Sequence, residues 1–576
     1  MKRFVVLLLF AAAVLAIVPA IMAQDNVDVF GRALPEDAAP YEMQIWQNLC
    51  NSARTEISMM SVVSVYQRIC DQNITDKLGD PLVNLDENLN IIPGAAESWE
   101  ALEGGLTWRF HLRPGQVWSD GTPLTAADYV ASYRYMVDPD NAYDFVWMWL
   151  GVIKNWDEAS AGEVPPEDIG MEAVDDLTLD VTTYEPVGFL PSTLYFWAPL
   201  QAAALEEYGS GDYTLDPETA VSSGPFLLTE FTPGEQVIMT VNPDYNGYRK
   251  PWLRELRGIY GDQLNGSFLA FQNHDTEYTN YAFLSQADFE IINADPVMSA
   301  NYRPDMGDFR TDYLFFDTYN PPFDDVNVRM AFAKALDRES IVENVIGSQY
   351  ALPAYSFLAP GFPSSDTEGV LRDIQAYDCP AAQALLAEAG YEGGEGFPAV
   401  ELKLRGETEA LAARFIASAA SISDCLGVTI TVNNMEGGAY MDGLLARPTT
   451  IQFGAVSYGM DYLDPNNMLG LWVSTGRHSW RNAEYDNLIA QAKGETDLEL
   501  RDQLYRDAER ILVEDVGGIF LDHRIQGNLF QPYVAGDCFR PDAQGISSWH
   551  WGNDWCWGTF YITNEVENYD TYRTRS

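Results

Sequence analysis

Apolar and polar residues alternate along the segment LTWRFHLR, residues 106–113. Every second position is apolar: Leu106, Trp108, Phe110 and Leu112. A period of two places these side chains on one face of an extended chain, so the segment is predicted to be a half-buried β-strand. Asp120-Gly121 follows as a turn signal.

The period becomes helical after Thr125. Apolar and aromatic residues then recur three and four positions apart: Tyr129, Val130, Tyr133, Met136 and Val137. Thr125 and Asp128 are predicted to form a capping box, in which hydroxyl and carboxylate accept hydrogen bonds from amides of the first turn. Pro139 closes the run. The whole stretch therefore predicts a strand, a turn and a helix. These are elements of the scaffold rather than catalytic residues.

Comparable patterns continue downstream. SSGPFLLTEFTPGEQVIMTVNPDYNG predicts two strands around the turn Pro233-Gly234, and FDDVNVRMAFAKALDRESIVENVIG predicts a helix with acidic caps that ends at Gly347. CPAAQALLAEAGY predicts a short helix with Pro380 in its first turn and Gly390 beyond its end. NAEYDNLIAQAKG and LELRDQLYRDAERILVED predict two amphipathic helices. Strands and helices mix without a repeat, which indicates a compact α/β chain.

The N-terminus has the layout of a secretory signal peptide. Lys2 and Arg3 precede an apolar run over residues 4–18, and small residues at 20–23 precede Gln24. We expect cleavage after residue 23 and a periplasmic or extracellular mature chain, with an uncleaved anchor as the alternative. No cysteine follows the run, so a lipid anchor there is not expected, and no second apolar run reaches about 18 residues.

The cysteine count is even, which suggests disulfide bonding in an exported chain. The six positions are Cys50, Cys70, Cys379, Cys425, Cys538 and Cys556. Pairing of neighbours is the simplest of roughly 15 connectivities, and it gives Cys50–Cys70, Cys379–Cys425 and Cys538–Cys556. Buried free thiols are the alternative, and no CxxC motif is present.

The chain has 85 acidic and 34 basic residues and a formal net charge of −51. Such a field repels nucleic acid and anionic lipid surfaces, so neither is expected as a partner. A solvated acidic surface, suited to a salty exterior, explains the charge. An acidic site for a cationic ligand is compatible with this charge but is not required by it. At 576 residues the chain exceeds one ordinary core, which predicts two or three domains.

No catalytic signature stands out. HExxH, GxSxG and Walker A patterns are absent from the sequence. A loose GxGxxA at residues 394–399 contains Pro398, which prevents a smooth helix start, so nucleotide binding is not expected. The histidines show no metal-ligand spacing: His111, His274, His478, His523 and His550. We expect neither a metal nor another cofactor, and a secreted glycoside hydrolase with two catalytic carboxylates is the enzyme alternative.

Five of these stretches, taken in order, resemble one family. AESWE…LTWRFHLRPGQVWSDGTPLTAADYVASYRYMVDP resembles the signature region of the family 5 extracellular solute-binding proteins, which are the oligopeptide and dipeptide receptors of ABC importers. The segments that begin SSGPFLL and PPFDDVN resemble the next two conserved segments of the family, in the same order. The segment YDCPAAQALLAEAGY and the paired helices after residue 480 are similar to later ones. The resemblance covers nearly all of the mature chain.

The resemblance implies an α/β, two-lobed clamshell of the periplasmic-binding-protein kind (type II, cluster C) with three domains and mixed sheets flanked by helices. Lobe I would be discontinuous and comprise residues 24–67, 216–305 and 515–576. Domain II, residues 68–215, would be inserted in it. Lobe II (domain III) would comprise residues 306–514.

The resemblance also implies a receptor rather than an enzyme. Such a protein captures a small ligand between its lobes and delivers it to membrane ABC permease subunits with their ATPases. It needs no cofactor, and we expect a monomer. A peptide is the first expectation for the ligand, an oligosaccharide the second and a metal chelate the third.

A candidate ligand site lies in FGAVSYGMDYLDPNNML, residues 453–469. The family's peptide receptors carry an aromatic residue and an aspartate before an acid-Pro pair, and that aspartate holds the peptide's α-ammonium group. The matching positions are Tyr458, Asp461 and Asp464-Pro465, with the backbone around Gly459 available to an extended ligand. The alternative is that Asp461 caps a turn. Some family members have an arginine shortly before this aspartate, whereas residues 453–460 contain no basic residue.

Aromatic residues offer a second candidate surface. In YDFVWMWLG, residues 143–151, three rings alternate: Phe145, Trp147 and Trp149. One face of this segment is expected to line the cleft, where rings stack on sugars or cover apolar peptide side chains, with core packing as the alternative. The run WHWGNDWCWGTFY, residues 549–561, is expected to form a core edge that Cys556 staples.

Overall fold

The computed structural model describes residues 26–51, 77–539 and 558–569, except residues 87, 142, 144, 196, 210–212 and 214–215. The predicted signal peptide, residues 1–23, lies outside the described residues, as do Cys70, Cys556 and most of the C-terminal tryptophan run. None of the helices in the described part of the chain has the length and apolar character needed to cross a lipid bilayer.

Strands and helices follow one another along the whole described chain. The strands are β1 Ile45–Asn51, β2 Val83–Leu85, β3 Ile91–Pro93, β4 Ala96–Leu102, β5 Thr107–Leu112, β6 Met171–Asp175, β7 Thr178–Thr182, β8 Phe226–Thr232, β9 Gln236–Val241, β10 Glu255–Gly261, β11 Tyr278–Asn280, β12 Tyr302–Arg303, β13 Thr311–Phe316, β14 Ala351–Pro353, β15 Val400–Leu404, β16 Ile430–Asn434, β17 Phe453–Tyr458, β18 Gly518–Arg524, β19 Asn528–Phe530, β20 Val534–Ala535 and β21 Tyr561–Ile562. The α-helices are α1 Ala126–Val137, α2 Trp156–Ser160, α3 Ala202–Tyr208, α4 Gln263–Gln272, α5 Gln286–Ala294, α6 Pro296–Asn301, α7 Val326–Lys334, α8 Arg338–Ile341, α9 Cys379–Glu388, α10 Glu409–Leu426, α11 Gly437–Leu445, α12 Pro465–Leu469, α13 Ala483–Gly494 and α14 Leu498–Glu514.

Three sheets organise the described chain. The strand orders are β1-β10-β9-β8, β4-β5-β7-β6 and β14-β18-β13-β17-β15-β16. The first and third sheets are mixed, because β1 runs parallel to β10 and β15 runs parallel to both β16 and β17. A smaller sheet has three strands in the order β11-β19-β12. Several sheets flanked by helices confirm the α/β prediction.

The first predicted unit is confirmed. The strand β5 alternates between half-buried and buried positions, with Trp108, Phe110 and Leu112 buried. The backbone N–H of Thr125 donates to Oδ2 of Asp128 at 2.8 Å, and α1 follows. The other oxygen, Oδ1, accepts from the backbone N–H of Ala202 at 2.8 Å. The capping carboxylate therefore also attaches the start of α3 to α1.

The helix predicted up to Gly347 is wrong in one respect. It is broken after α7, and α8 starts anew at Arg338 and continues as a π-helix over Val342–Ile346. The cause is Asp337, whose side chain accepts the N–H of Ser340 at 3.1 Å and so caps a new first turn. Burial of the apolar residues continues across the break, which is why their spacing resembles that of one helix.

The six-stranded sheet separates two hydrophobic cores. On its central strand β13, Tyr313 and Phe315 belong to one cluster, while Leu314 and Phe316 belong to the other. The first cluster continues into the residues around β5 and α1, and the second is covered by α7, α9 and α10. Both faces of β13 are therefore buried, as expected for a central strand.

Two chain passages connect this sheet to the rest of the protein. The chain enters through residues 304–310 and leaves through residues 525–527, and the two passages are hydrogen-bonded to each other. The N–H of Gln526 donates to the carbonyl of Asp305 at 2.6 Å, and that of Arg524 to the carbonyl of Arg310 at 2.9 Å. The strand β18, which follows the predicted boundary at 514/515, is paired within the six-stranded sheet.

The structure bears differently on the three predicted disulfide pairs. Cys379 and Cys425 form a disulfide that joins α9 to α10, with Cα atoms 5.7 Å apart. Among the described residues Cys538 is a buried free thiol, and its predicted partner Cys556 lies outside them, so this pair stays a prediction. It packs with aromatic residues in an apolar cluster, where a thiol behaves as a small hydrophobic side chain. The pair Cys50–Cys70 stays a prediction.

Candidate functional site

The candidate site follows the end of β17. Tyr458 is the last residue of this strand, and α12 begins a few residues later at Pro465. Asp464 is the N-cap of α12, and its side chain accepts the N–H of Asn466 at 2.8 Å. Residues 459–463 are therefore held between a strand in the sheet and a capped helix, which fixes the position of Asp461.

Asp461 is half-buried and lies in a small hydrogen-bond network. Its Oδ2 accepts a short hydrogen bond from the hydroxyl of Tyr458 and a weaker one, at 3.3 Å, from Nδ2 of Asn467. Its own backbone N–H donates to Oδ1 of Asn467 at 2.8 Å. The aromatic residue and the aspartate that the sequence singled out are thus brought together.

The carboxyl group of Asp461 lacks a full counter-charge. Burial raises its pKa, while hydrogen bonds from Tyr458 and Asn467 and the charges of Arg477 and Arg310 lower it less. No ion pair joins Asp461 to a cation among the described residues. A desolvated carboxylate of this kind gains most from a cationic group brought by a ligand.

Gly459 has a structural role at this point. A Cβ atom on it would lie 2.1 Å from Oδ2 and 2.4 Å from Cγ of Asp308. The next residue, Met460, donates its N–H to the carbonyl of Asp308 at 2.7 Å. The chain at 459–460 therefore packs directly on the first passage into the sheet, and this amide is not available to a ligand.

Two arginines from other parts of the chain lie beside the end of β17, although residues 453–460 contain none. Arg310 donates from Nη1 to Oγ of Ser457 at 3.1 Å and pairs with Asp308. The guanidinium of Arg477 lies over the ring of Tyr458, with Cζ 4.8 Å from the centroid. The sequence analysis missed both arginines, because no motif marks either of them and only the folded sheet brings them to the site.

Two further contacts hold the residues after Asp461. Asp464 accepts hydrogen bonds of 2.6 and 2.7 Å from the guanidinium of Arg501, in a buried bidentate pair. Tyr462 stacks on Phe189, which comes from the segment before α3. Asp464 is therefore structural, and the position of Asp461 depends on contacts with distant parts of the chain.

The aromatic run at 143–151 does not form the predicted surface. Val146–Trp149 is a 3-10 helix, so the three rings do not share a face. Trp149 is completely buried and Phe145 is 4% exposed, while Trp147 is 39% exposed. Trp149 packs against Tyr133 and Trp197 with centroids 5.0 and 5.1 Å away. Trp149 and Phe145 are core residues, and Trp147 alone of the three reaches solvent.

The described residues contain no group of three or more His, Cys, Asp or Glu side chains placed to hold a metal ion. Two of the histidines are buried: His523 lies on β18 and His478 in the loop before α13. Burial lowers the pKa of His523 to about 3 and that of His478 well below its usual value. Both are therefore neutral, and each bonds a hydroxyl group of β13.

Comparisons with known proteins agree on one family. The family model described as "Bacterial extracellular solute-binding proteins, family 5 Middle" matches residues 90–480. A relative, the probable deoxycholate-binding periplasmic protein YgiS of Escherichia coli (strain K12), is 30% identical over 475 residues, which are 80% of this chain and 85% of that protein. The periplasmic oligopeptide-binding protein OppA of Salmonella typhimurium is 27% identical over 507 residues, 85% of this chain and 89% of that protein.

The fold is also known from solved structures. The unliganded open form of the periplasmic murein tripeptide-binding protein MppA superposes with a TM-score of 0.79 at 24% identity. The superposition covers 92% of this chain and 100% of that one. The architecture of the described sheets is therefore the multi-domain clamshell.

Proposed function

Because the chain belongs to family 5 of the bacterial extracellular solute-binding proteins, we propose that it captures a peptide between two lobes and delivers it to an ABC import permease. The observation that carries the proposal is Asp461. This half-buried carboxylate has hydrogen bonds but no cationic partner among the described residues. A peptide's α-ammonium group supplies the missing charge in a charge-assisted hydrogen bond.

The strand pairing supports a discontinuous lobe I. The N-terminal strand β1 pairs with β10, and the C-terminal strand β19 pairs with β11 and β12. We propose that residues 24–67 and 216–305 form lobe I together with the chain after the second passage. Domain II, with β4 to β7 and α1, is inserted in lobe I, and the six-stranded sheet forms lobe II.

The biological setting is part of the proposal. Relatives are named as periplasmic binding proteins, which supports export of this chain by a cleaved signal peptide. The protein acts as a monomer that closes on its ligand by a hinge motion and docks on permease subunits that are driven by ATPases. It turns over no substrate and needs no cofactor.

Calorimetry with the tripeptide Ala-Ala-Ala tests the role of Asp461. Asp461→Asn keeps the shape and removes the charge, and loss of one member of a desolvated charge pair costs about 2–5 kcal/mol. Affinity should therefore fall roughly 30-fold or more. Acetylation of the peptide's N-terminus should weaken binding to the wild type similarly and change binding to the variant much less.

Asp442→Asn is the matched control. Asp442 is exposed on α11, and its replacement changes the net charge by the same amount. It should leave the affinity unchanged. Equal losses on acetylation in the wild type and in Asp461→Asn would place the ammonium group elsewhere, and Asp461 would then be a turn residue.

Ligand class and turnover need separate measurements. Native mass spectrometry of gently purified protein should show a copurified mass of a peptide, and a mass of several sugar units would favour an oligosaccharide. Incubation with a panel of peptides and glycans should leave them intact. Product in excess of the protein would show that the chain is a hydrolase.

A further inference from the structure

Asp308 contacts both the loop of the proposed site and the second passage, residues 525–527. Its carbonyl accepts the N–H of Met460 at 2.7 Å. Its carboxylate accepts a hydrogen bond of 2.7 Å from the side chain of Gln526 through Oδ1 and pairs with Arg310 through Oδ2. One residue of the first passage therefore holds the residue before Asp461 and the second passage at the same time.

The second passage is fixed to the three-stranded sheet. The strand β19 begins at Asn528 and pairs with β11 and β12. The N–H of Tyr281 donates to the carbonyl of Gly527 at 2.9 Å, and a Cβ atom on Gly527 would overlap the hydroxyl of Tyr302. The carboxylate of Asp308 is thus bound to a segment of the three-stranded sheet, whereas its carbonyl is bound to the loop that follows β17 of the six-stranded sheet.

The backbone on each side of Asp308 is left-handed. Gly307 has a φ of 56° and Phe309 a φ of 50°. For a residue with a side chain this conformation costs about 1–3 kcal/mol, and it persists only where the surroundings fix it. The ring of Phe309 packs on Phe362 with centroids 5.3 Å apart, and its N–H donates to the carbonyl of Met306 at 2.9 Å. Hinge motions are absorbed by a few loop positions that change φ and ψ, and this turn is such a place.

The loop of the proposed site lies directly against Asp308. A Cβ atom on Gly459 would come within 2.1 Å of Oδ2 of Asp308, so the backbone of the loop and this carboxylate are in close contact. Closely packed groups leave no space in which a displacement can be absorbed. A shift of residues 459–461 is therefore passed on to Asp308.

Arg310 joins the same parts by charge. It pairs with Asp308, and it also lowers the pKa of Asp461, against the larger effect of burial, which raises it. The guanidinium of Arg310 is therefore attracted by both carboxylates. A cationic group of a ligand at Asp461 would offset one of these attractions and strengthen the pair of Arg310 with Asp308.

We propose that Asp308 is a positioning residue that couples the ligand site to the hinge, because it links the loop before Asp461 to the passage at Gln526. This inference rests on the proposed function. A ligand at Asp461 shifts the loop, Asp308 follows through Met460, and its carboxylate moves relative to Gln526 as the turn around Asp308 changes. Without this link a ligand still binds at Asp461, but the two sides of the passages do not close on it.

Small-angle X-ray scattering, with and without saturating Ala-Ala-Ala, measures closure separately from binding. The radius of gyration of the wild type should decrease when the tripeptide binds. Asp308→Asn removes the charge that holds Arg310, and Gln526→Met removes the amide at nearly constant length. Each variant should bind the tripeptide roughly tenfold more weakly in calorimetry. At saturation each should show a smaller decrease of the radius of gyration than the wild type, which a loss of stability alone would not produce.

Asp317→Asn is the matched control. Asp317 is also buried, at 5% exposure, but it follows the other end of β13, where it accepts the N–H of Tyr319 at 3.1 Å and a hydrogen bond of 2.7 Å from the side chain of Asn320. This variant should lose stability in urea unfolding and still close as the wild type does. The double variant of Asp308→Asn and Gln526→Met should close to the same extent as the more affected single variant, because both changes interrupt one link.

The outcomes separate this inference from the proposed function. Wild-type closure at saturation in Asp308→Asn and in Gln526→Met would overturn the role of Asp308, while peptide binding at Asp461 would stand. Tripeptide binding by the wild type without any decrease of the radius of gyration would overturn it as well. If the wild type binds no tripeptide, the proposed function is wrong, and the inference is wrong with it.

Discussion

Phe189 and Tyr462 stack with ring centroids 5.3 Å apart and planes inclined by 15°. The contact joins the segment before α3 to the residue that follows Asp461. Next to it, the N–H of Gly188 donates to the carbonyl of Lys493 at 2.7 Å. Residues 188–189 are therefore in direct contact with the loop of the proposed site and with α13.

A double-mutant cycle measures this contact. Phe189→Ala and Tyr462→Ala should each destabilise the protein, and together by less than the sum, with a coupling of about 0.5–1.5 kcal/mol as for other aromatic pairs. Urea unfolding of the four proteins provides the values. Additivity within about 0.3 kcal/mol would show that the rings do not interact.

Gly459→Ala should damage the site. The new Cβ would lie 2.1 Å from Oδ2 of Asp308, and Arg310 and Gln526 hold that carboxylate in place. Overpacking of this kind costs typically about 1–3 kcal/mol, and the displaced loop should weaken peptide binding.

Gly470→Ala is the control for this change. Gly470 has helical backbone angles, and its Cβ would meet its nearest atom, on Asn466, at 3.9 Å. Thermal unfolding and calorimetry should show the wild-type values. Wild-type stability and affinity for Gly459→Ala would mean that the loop moves away from Asp308 without cost.

Asp464→Asn should be strongly destabilising. Arg501 would remain buried without its carboxylate, since the two side chains are 9% and 6% exposed, and breaking such a pair costs about 3–5 kcal/mol. Asp502→Asn is the control, because the pair of Asp502 with Arg506 is exposed and should contribute at most about 0.5 kcal/mol. Both variants change the net charge equally. Similar small losses in urea unfolding would contradict the assignment of a buried pair.

The buried carboxyl group of Glu509 should make the stability of the protein depend on pH. Burial raises the pKa of its carboxyl group from its usual value to about 8, although Oε1 accepts the N–H of Leu358 at 2.8 Å. Between about pH 4.5 and 8 the unfolded chain loses this proton while the folded chain keeps it, so stability falls as pH rises, by up to about 1.4 kcal/mol per unit.

Glu509→Gln removes that titration and keeps an acceptor for Leu358. Relative to the wild type, it should become progressively more stable from pH 5 to pH 8 in urea unfolding. Glu499→Gln, an exposed change on the same helix, should leave the slope unaltered. A constant difference between Glu509→Gln and the wild type across this range would contradict the buried protonated carboxyl group.

The elements that the sequence predicted well are those whose pattern is local. The alternation in β5 and the spacing in α1 arise because one face of each element is buried, and Thr125 with Asp128 marks the start of the helix within four residues. Tyr458 and Asp461 are three residues apart, so a motif could find them.

The features that the sequence did not predict depend on distant contacts. Nothing near Arg477 shows that its guanidinium lies over Tyr458, and nothing near Phe189 shows its stacking on Tyr462. The alternation of rings at 145–149 suggested that one face lines the cleft, but residues 146–149 form a 3-10 helix and Trp149 packs against the distant Trp197.

The two passages at 304–310 and 525–527 constrain the hinge motion that we propose. A body attached at one point can turn about three axes, whereas a body attached at two neighbouring points turns about the line that joins them. The hydrogen bonds from Gln526 to Asp305 and from Arg524 to Arg310 keep the two points together. In the hinge motion that we propose, the six-stranded sheet therefore turns about that line, and one distance between the two sides of the passages describes how far it has turned.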